Sequence, residues 1–258
     1  MVITLDGPAG VGKSSLAREL AARLGLPFMD SGAMFRCAAL ALGPETEQLQ
    51  GQALETHLQE RLESLHFSLR GSGGQSELLC NGKALGQEIR SEEVSALTSR
   101  LAALPPVREA LKKAQQRLGG EIPLVAEGRD MGTVIFPQAA CKFFLDAEPR
   151  VRARRRQLQL HEKDRQIGQG EATAQSGEAA ASVLPTLPEA LTSAELRELD
   201  EIEAQIRKRD DQDRNRALAP LRPATDAILV DTSRLSLEEV LEKLLTLYFT
   251  KVGAVNSY

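Results

Sequence analysis

Apolar positions along the chain switch repeatedly between the pattern of a buried strand and that of a helix. Residues 2–5 (VITL) form a short aliphatic run, and Leu16, Leu20 and Leu24, with Ala17 and Ala21, then repeat at helical spacing. Residues 26–29 predict a second strand, ending at Asp30-Ser31-Gly32, and residues 33–42 are helical in composition. Leucines at 49, 54, 58, 62 and 65 predict a helix over residues 45–65 with an irregular start. Ser91 opens a helix to about residue 103; Pro105-Pro106 breaks it, and residues 107–118 form the next. Residues 122–126, 142–145 and 227–230 predict three further core strands. Asp146 is the expected N-cap of a helix starting near Pro149. Thr192 to Glu195 and Ser236 to Glu239 match the capping-box pattern. The first box starts a helix with Leu196, Leu199, Ile202 and Ile206 on one stripe, and the second a closing helix to about Phe249. Residues 251–258 are expected to be loose.

One patch breaks the alternation. Residues 66–69 and 77–80, around a Gly71-Ser72-Gly73-Gly74 turn, predict a hairpin, and Asn81-Gly82 leads to a return strand over 83–85. Residues 166–191 are rich in Gly, Ala, Ser, Gln and Pro and have little periodicity, which predicts a mobile loop or linker. Five β segments separated mostly by helices predict an α/β fold: a five-stranded parallel sheet with helices on both faces. The chain is expected to form a single domain over 1–258. Its core comprises 1–44, 91–160 and 193–249, with a strand-rich insertion over about 45–90 and another insertion over about 160–192.

Composition narrows the classes. A chain of 258 residues suits one large domain. No apolar run approaches the ~20 residues that span a bilayer. The first strand begins at once, with no basic leader, so no signal peptide is expected and a cytoplasmic location is. The three cysteines, Cys37, Cys80 and Cys141, form no metal or redox spacing and are expected to be reduced and buried. His57, His66 and His161 lie outside any obvious carboxylate or cysteine constellation. A net charge of −4 with only 3% aromatics argues against a nucleic-acid partner.

Chemistry enters between the first strand and the first helix. Gly7-Pro8-Ala9-Gly10-Val11-Gly12-Lys13-Ser14 fits G-x-x-x-x-G-K-[ST] in the order strand, glycine loop, helix. Glycines let backbone N–H groups turn around an anion, and the helix N-terminus adds partial positive charge. Lys13 is placed to reach the β- and γ-phosphates of a nucleoside triphosphate, and the Ser14 hydroxyl to ligate Mg²⁺. The stripe ending at Ile206 continues as Arg209, Asp213 and Arg216. A core cannot hold such residues unpaired, so this face either meets water as an ion-pair ladder or lines a polar cleft. Ser31 with Arg36, Arg108, and Arg129 with Asp130 lie near strand ends or helix starts. They place arginines around the phosphate loop, as phosphoryl transfer requires.

With these stretches in view, the chain resembles the bacterial cytidylate (CMP) kinases, a family of P-loop nucleoside monophosphate kinases. The likeness runs through LDGPAGVGKSS, DSGAMFR, EIRSEEVS, AALPPVREAL, AEGRDMGTVIFP, FFLDAEPRVRARRR, RKRDDQDRNRALAPL and ILVDTSRLS. It implies ATP as phosphoryl donor, Mg²⁺, and CMP or dCMP as acceptor. It also implies a monophosphate-binding role for the strand-rich insertion and a lid role for the second. By position, Ser99, Arg108 and Asp130 match residues that hold cytosine; Arg36, Arg129 and Arg216 lie near the acceptor phosphate; Arg209 and Asp213 lie near the sugar. Ser31 belongs to the same pocket. The loop from Gly7 to Ser15 matches the ATP site, and Arg155 and Arg156 match lid arginines that close on its phosphates. Lys13, Arg129 and Arg216 match the groups around the transferred phosphoryl. Phe35, Glu127 and Ser15 depart from the usual Tyr, Asp and Thr, and residues 160–192 exceed the usual lid. A monomer is expected, and the competing acceptor is another monophosphate such as UMP.

Overall fold

The computed structural model describes residues 1–168 and 191–255. Most of the predicted loop over 166–191 therefore lies outside the described residues, as does the end of the tail. Five parallel strands form the main sheet, in the order β2-β6-β1-β7-β8. They are β1 (Val2–Asp6), β2 (Phe28–Asp30), β6 (Leu124–Gly128), β7 (Cys141–Asp146) and β8 (Ile228–Asp231). A three-stranded antiparallel sheet of β3 (Phe67–Arg70), β4 (Glu77–Cys80) and β5 (Lys83–Ala84) forms the predicted patch. Its Asn81-Gly82 turn puts both residues at positive φ, 50° and 76°, the conformation this dipeptide favours between strands.

Side-chain alternation along β1 sorts the core into two layers. Val2 packs in a cluster with Met34, Leu42, Leu111 and Leu118. It lies under α2 (Ser31–Leu42), α3 (Gly51–Glu63), α4 (Glu92–Leu101) and α5 (Pro105–Glu121). Ile3 and Leu5 join the second layer, with Leu16 and Leu20 of α1 (Lys13–Leu24) and Leu241 and Leu244 of α8 (Leu237–Val255). Ligands of open α/β sheets bind beyond the carboxyl ends of the strands. Two helices, α6 (Pro149–Gly168) and α7 (Ser193–Asn215), pack on each other at that end around Ala153, Leu199, Ile202 and Ile206.

Several expectations need correction. The helix predicted over 45–65 begins only at Gly51. Leu49 and Gln50 are extended, and residues 44–48 form a separate 3₁₀ turn. Asp146 does not cap α6. Its carboxylate accepts from the next backbone N–H, Ala147, at 2.9 Å, and the helix starts from Glu148, whose carbonyl accepts from Arg152 N. Residues 251–255 are not loose, because α8 continues to Val255 with Leu247 and Val252 packed on the core. Residues 160–168, expected to open the second insertion, continue α6. His161 does meet a carboxylate, Glu198, at 2.9 Å across α6 and α7. All three cysteines are free and buried, and no described helix is long and apolar enough to cross a membrane.

Candidate active site

The site begins where β1 turns into α1. Gly7 has φ 151°, and a Cβ there would stand 2.2 Å from the Leu145 carbonyl oxygen of β7, so only glycine lets the loop leave the sheet. Gly12 caps α1 in the left-handed conformation. The loop thus wraps the helix N-terminus and leaves its N–H groups for an anion. Val11 is buried and anchors the loop in the core. Lys13 is buried and donates to the Pro8 carbonyl at 2.7 Å. Burial, then Arg129, and less strongly Arg209, push its ammonium down to about 8, against the pull of Glu127 and Asp6. Ser15 is exposed.

The second strand end, β6, carries Glu127. The Ser14 hydroxyl donates to its Oε1 at 2.7 Å, while the buried Oε2 has no partner. Burial, reinforced by Asp30, lifts this carboxyl to about 7 although Lys13 and Arg129 oppose the shift. Beyond Arg129 and Asp130 the chain makes one π-helical turn, Met131–Ile135. Asp6, the last residue of β1, accepts from Met131 N at 2.8 Å and Gly132 N at 2.7 Å. Burial lifts Asp6 to about 6, with those two N–H groups holding it down.

Most of the remaining predicted residues converge from α2, α5, α7 and the turn after β6. Asp30 caps α2, accepting from Ala33 N at 2.9 Å, and faces Arg36 at 3.4 Å. Ser31 is buried against Gly128, where a Cβ would meet its Oγ at 2.7 Å. Arg108, in the first turn of α5, pairs with Asp130 and stacks over the Phe35 ring at 5.5 Å. The ring face of Phe35 thus supports the guanidinium although the tyrosine hydroxyl is absent. Arg129 pairs with Asp213 of α7, and Arg216 lies 3.9 Å from Asp130 and 3.7 Å from Asp213. Burial lifts Asp130 despite Arg108, Arg216 and Arg129. Arg209 keeps access to solvent, but loss of water and the neighbouring Arg129, Arg36 and Arg156 lower it, with Asp213 opposing.

Along the α7 face, Asp213 and Arg216 are half-buried against Arg129 and Asp130, as a polar cleft would require, while Arg209 is exposed. The exposed ladder consists of its neighbours, such as Arg207 with Glu203. Ser99 stands apart from the cluster. It is exposed on α4 and its hydroxyl donates to the Ser95 carbonyl at 3.1 Å, one turn before Ala102, whose carbonyl accepts from Arg108. Arg155 points the other way, donating to Thr232 at the end of β8 at 2.6 and 3.1 Å. Arg156 is exposed on α6 near Arg209.

Sequence reasoning named Glu127 only as a departure from the family pattern, and missed Asp6, Arg152 and Asp210, which hold the elements around this site in place without belonging to the binding groups themselves. Asp6 ends an aliphatic run at the carboxyl end of the central strand, and Glu127 directly precedes Gly128-Arg129-Asp130; both positions were readable signals. Arg152 and Asp210 are buried ions in charged stretches, with nothing local to set them apart.

The sequence has counterparts among known proteins. The cytidylate kinase family model matches residues 3–176 and 188–250. The chain belongs to the cytidylate kinase family. The cytidylate kinase of Nitratidesulfovibrio vulgaris (strain Hildenborough) is 52% identical over 239 residues, covering 93% of this chain and 88% of the relative. That of Oleidesulfovibrio alaskensis is 49% identical, covering 93% and 94%. That of Salmonella arizonae is 39% identical, covering 95% and 93%. Residues 177–187, between the two stretches matched to the cytidylate kinase family, fall within the insertion expected over 160–192.

Proposed function

We propose that the chain transfers the γ-phosphoryl group of ATP to the 5′-phosphate of CMP or dCMP, with the loop from Gly7 to Ser15 holding the donor. The acceptor lies among Ser31, Arg36, Ser99, Arg108, Arg129, Asp130, Arg209, Asp213 and Arg216. One observation carries this residue assignment: Ser14 of the loop bonds Glu127, and Arg129, two residues further on, pairs with Asp213 of α7. This chain of contacts supports a donor loop and acceptor arginines that face one another.

An acceptor phosphate oxygen forms the new bond to the γ-phosphorus as the bond to the ADP oxygen breaks. That oxygen is ionised near neutral pH, so no general base is needed. The histidines fit this: His57 bonds the Leu42 carbonyl at 2.9 Å, and His161 pairs with Glu198 outside the cleft. Lys13, Arg129 and Arg216 supply the positive field in which charge builds up on the equatorial oxygens. Arg156, on the lid helix, adds a charge from the donor side. Cytosine presents an N4 donor beside N3 and O2 acceptors; Asp130 accepts from N4, and Arg108 and Ser99 donate. Uracil presents an O4 acceptor and an N3 donor instead, which leaves Asp130 facing an acceptor.

The residues present fit Mg²⁺. Ser14 and Glu127 offer hard oxygen ligands side by side, and Glu127 Oε2 has no other partner. These two residues would hold the ion beside the ATP phosphates. When bound, it neutralises charge on the β- and γ-oxygens. Both nucleotide subsites belong to one chain, which supports a monomer as the working unit.

Coupled turnover with CMP, dCMP, UMP and AMP tests the assignment. The expected outcome is kcat/KM for CMP or dCMP above UMP by about 100-fold, the scale of a lost buried polar pairing. Preference for UMP or AMP would overturn it.

A further inference from the structure

Arg152 is 1% exposed, and all three of its guanidinium nitrogens are engaged in joining three parts of the site. Its Nε donates to the Ala147 carbonyl at 2.9 Å, and its Nη1 to the Ala9 carbonyl, inside the phosphate loop, at 3.0 Å. Nη1 and Nη2 then grip both carboxylate oxygens of Asp210 on α7, at 3.1 and 2.5 Å. The contact with the loop is also steric, since a Cβ on Gly10 would stand 3.2 Å from Arg152 Cβ. Asp210 is buried as well, directly beside Arg209 and one turn before Asp213.

A buried ion pair gains little net stability over an apolar pair of the same size, but it fixes geometry through directional, bidentate bonds. Here the fixed geometry runs from the Ala9 carbonyl of the donor loop to the Asp210 carboxylate on the acceptor helix. We propose that Arg152 and Asp210 are positioning residues that couple the two nucleotide subsites, so that ATP in the loop sets the register of Arg209 and Asp213 for the acceptor. The coupling is reciprocal by linkage: CMP on α7 tightens the loop on ATP by the same factor. This inference rests on the assignment of the loop to the donor and α7 to the acceptor.

The test is titration calorimetry of CMP into the full chain, with and without saturating Mg²⁺ and the non-hydrolysable analogue β,γ-imido-ATP. The wild-type Kd ratio is expected to be at least about 5, the lower end of usual coupling. Asp210→Asn, nearly isosteric, and Arg152→Lys should each bring the ratio below about 2, with CMP affinity in the absence of the analogue kept within about 3-fold. Asp210→Asn decides the matter if Arg152→Lys fails to melt cooperatively. A wild-type ratio near 1 would overturn the coupling. So would variants in which both ligands weaken in parallel and the ratio persists, as a purely structural role requires. Failure of the underlying site assignment shows separately, as undiminished CMP binding in Arg209→Met.

Discussion

Glu127 shows how one residue trades stability for chemistry. Its folded pKa of about 7 stands above the ordinary 4.5 because burial strips water from the carboxylate. The native state therefore holds the proton more tightly than the unfolded chain. The stability this contributes is complete below pH ~4.5 and is lost as pH rises through ~7. Asp6, raised to about 6, acts in the same direction over a lower range. Glu127→Gln cannot lose that proton. Its melting temperature relative to wild type should rise between pH 5 and pH 7, by roughly 5 °C for a 1–2 kcal/mol linkage. Its kcat should fall because the ligand beside Ser14 is gone. Thermal melts at the two pH values check this, and an equal offset at both contradicts the raised pKa.

Among the elements, the π-turn after β6 positions the site most directly. It carries no side-chain cap of its own, and its first N–H groups are bound by Asp6 from the neighbouring strand. Strand pairing of Asp6 with Gly128 sets the register in which those bonds form. Asp6→Ala leaves two buried donors unpaired, at about 1–3 kcal/mol each. The expected result is a lower urea midpoint together with at least about a 10-fold loss of kcat, as Arg129 and Asp130 lose their fixed approach. Lost stability with unchanged kcat would make Asp6 a folding residue only. The turn was not readable from the sequence, because MGTVI has no local signal for a π-helical hydrogen-bond pattern. The Asn81-Gly82 turn and the Thr192 box were readable, since both are set by residues within a few positions of each other. The full extent of α8 was not, because Leu247 and Val252 are held by the core across the chain and not by their neighbours.

Across the whole molecule, the same distinction separates what the sequence made legible from what it did not. The phosphate loop, the parallel sheet and the GRDMGTV and RDDQDRNRA stretches were legible because their residue types are tied to local geometry or carry the family resemblance. The choice between a solvated ladder and a polar cleft on α7 was open. It depends on how α6 and α7 cross, and that crossing places Asp210 on Arg152 and Arg209 toward Arg129. Arg152 could not be told from Arg150 by spacing. One is buried on the phosphate loop, while the other is partly exposed and pairs with Asp200 and Glu203. The molecule carries a net charge of −4, yet it gathers arginines from α2, α5, β6, α6 and α7 at one end of its sheet. That concentration is the physical basis for reading the cleft as the meeting place of two phosphate groups.

The central claim is that α7 forms the acceptor half of this cleft and the β1–α1 loop the donor half. Steady-state kinetics of Arg209→Met, with CMP and ATP varied in turn, test it most directly. Loss of one charge-assisted contact to the acceptor predicts a rise in CMP KM of about 10-fold or more, with ATP KM within about 2-fold of wild type. An equal rise in both, or a rise in ATP KM alone, would contradict it.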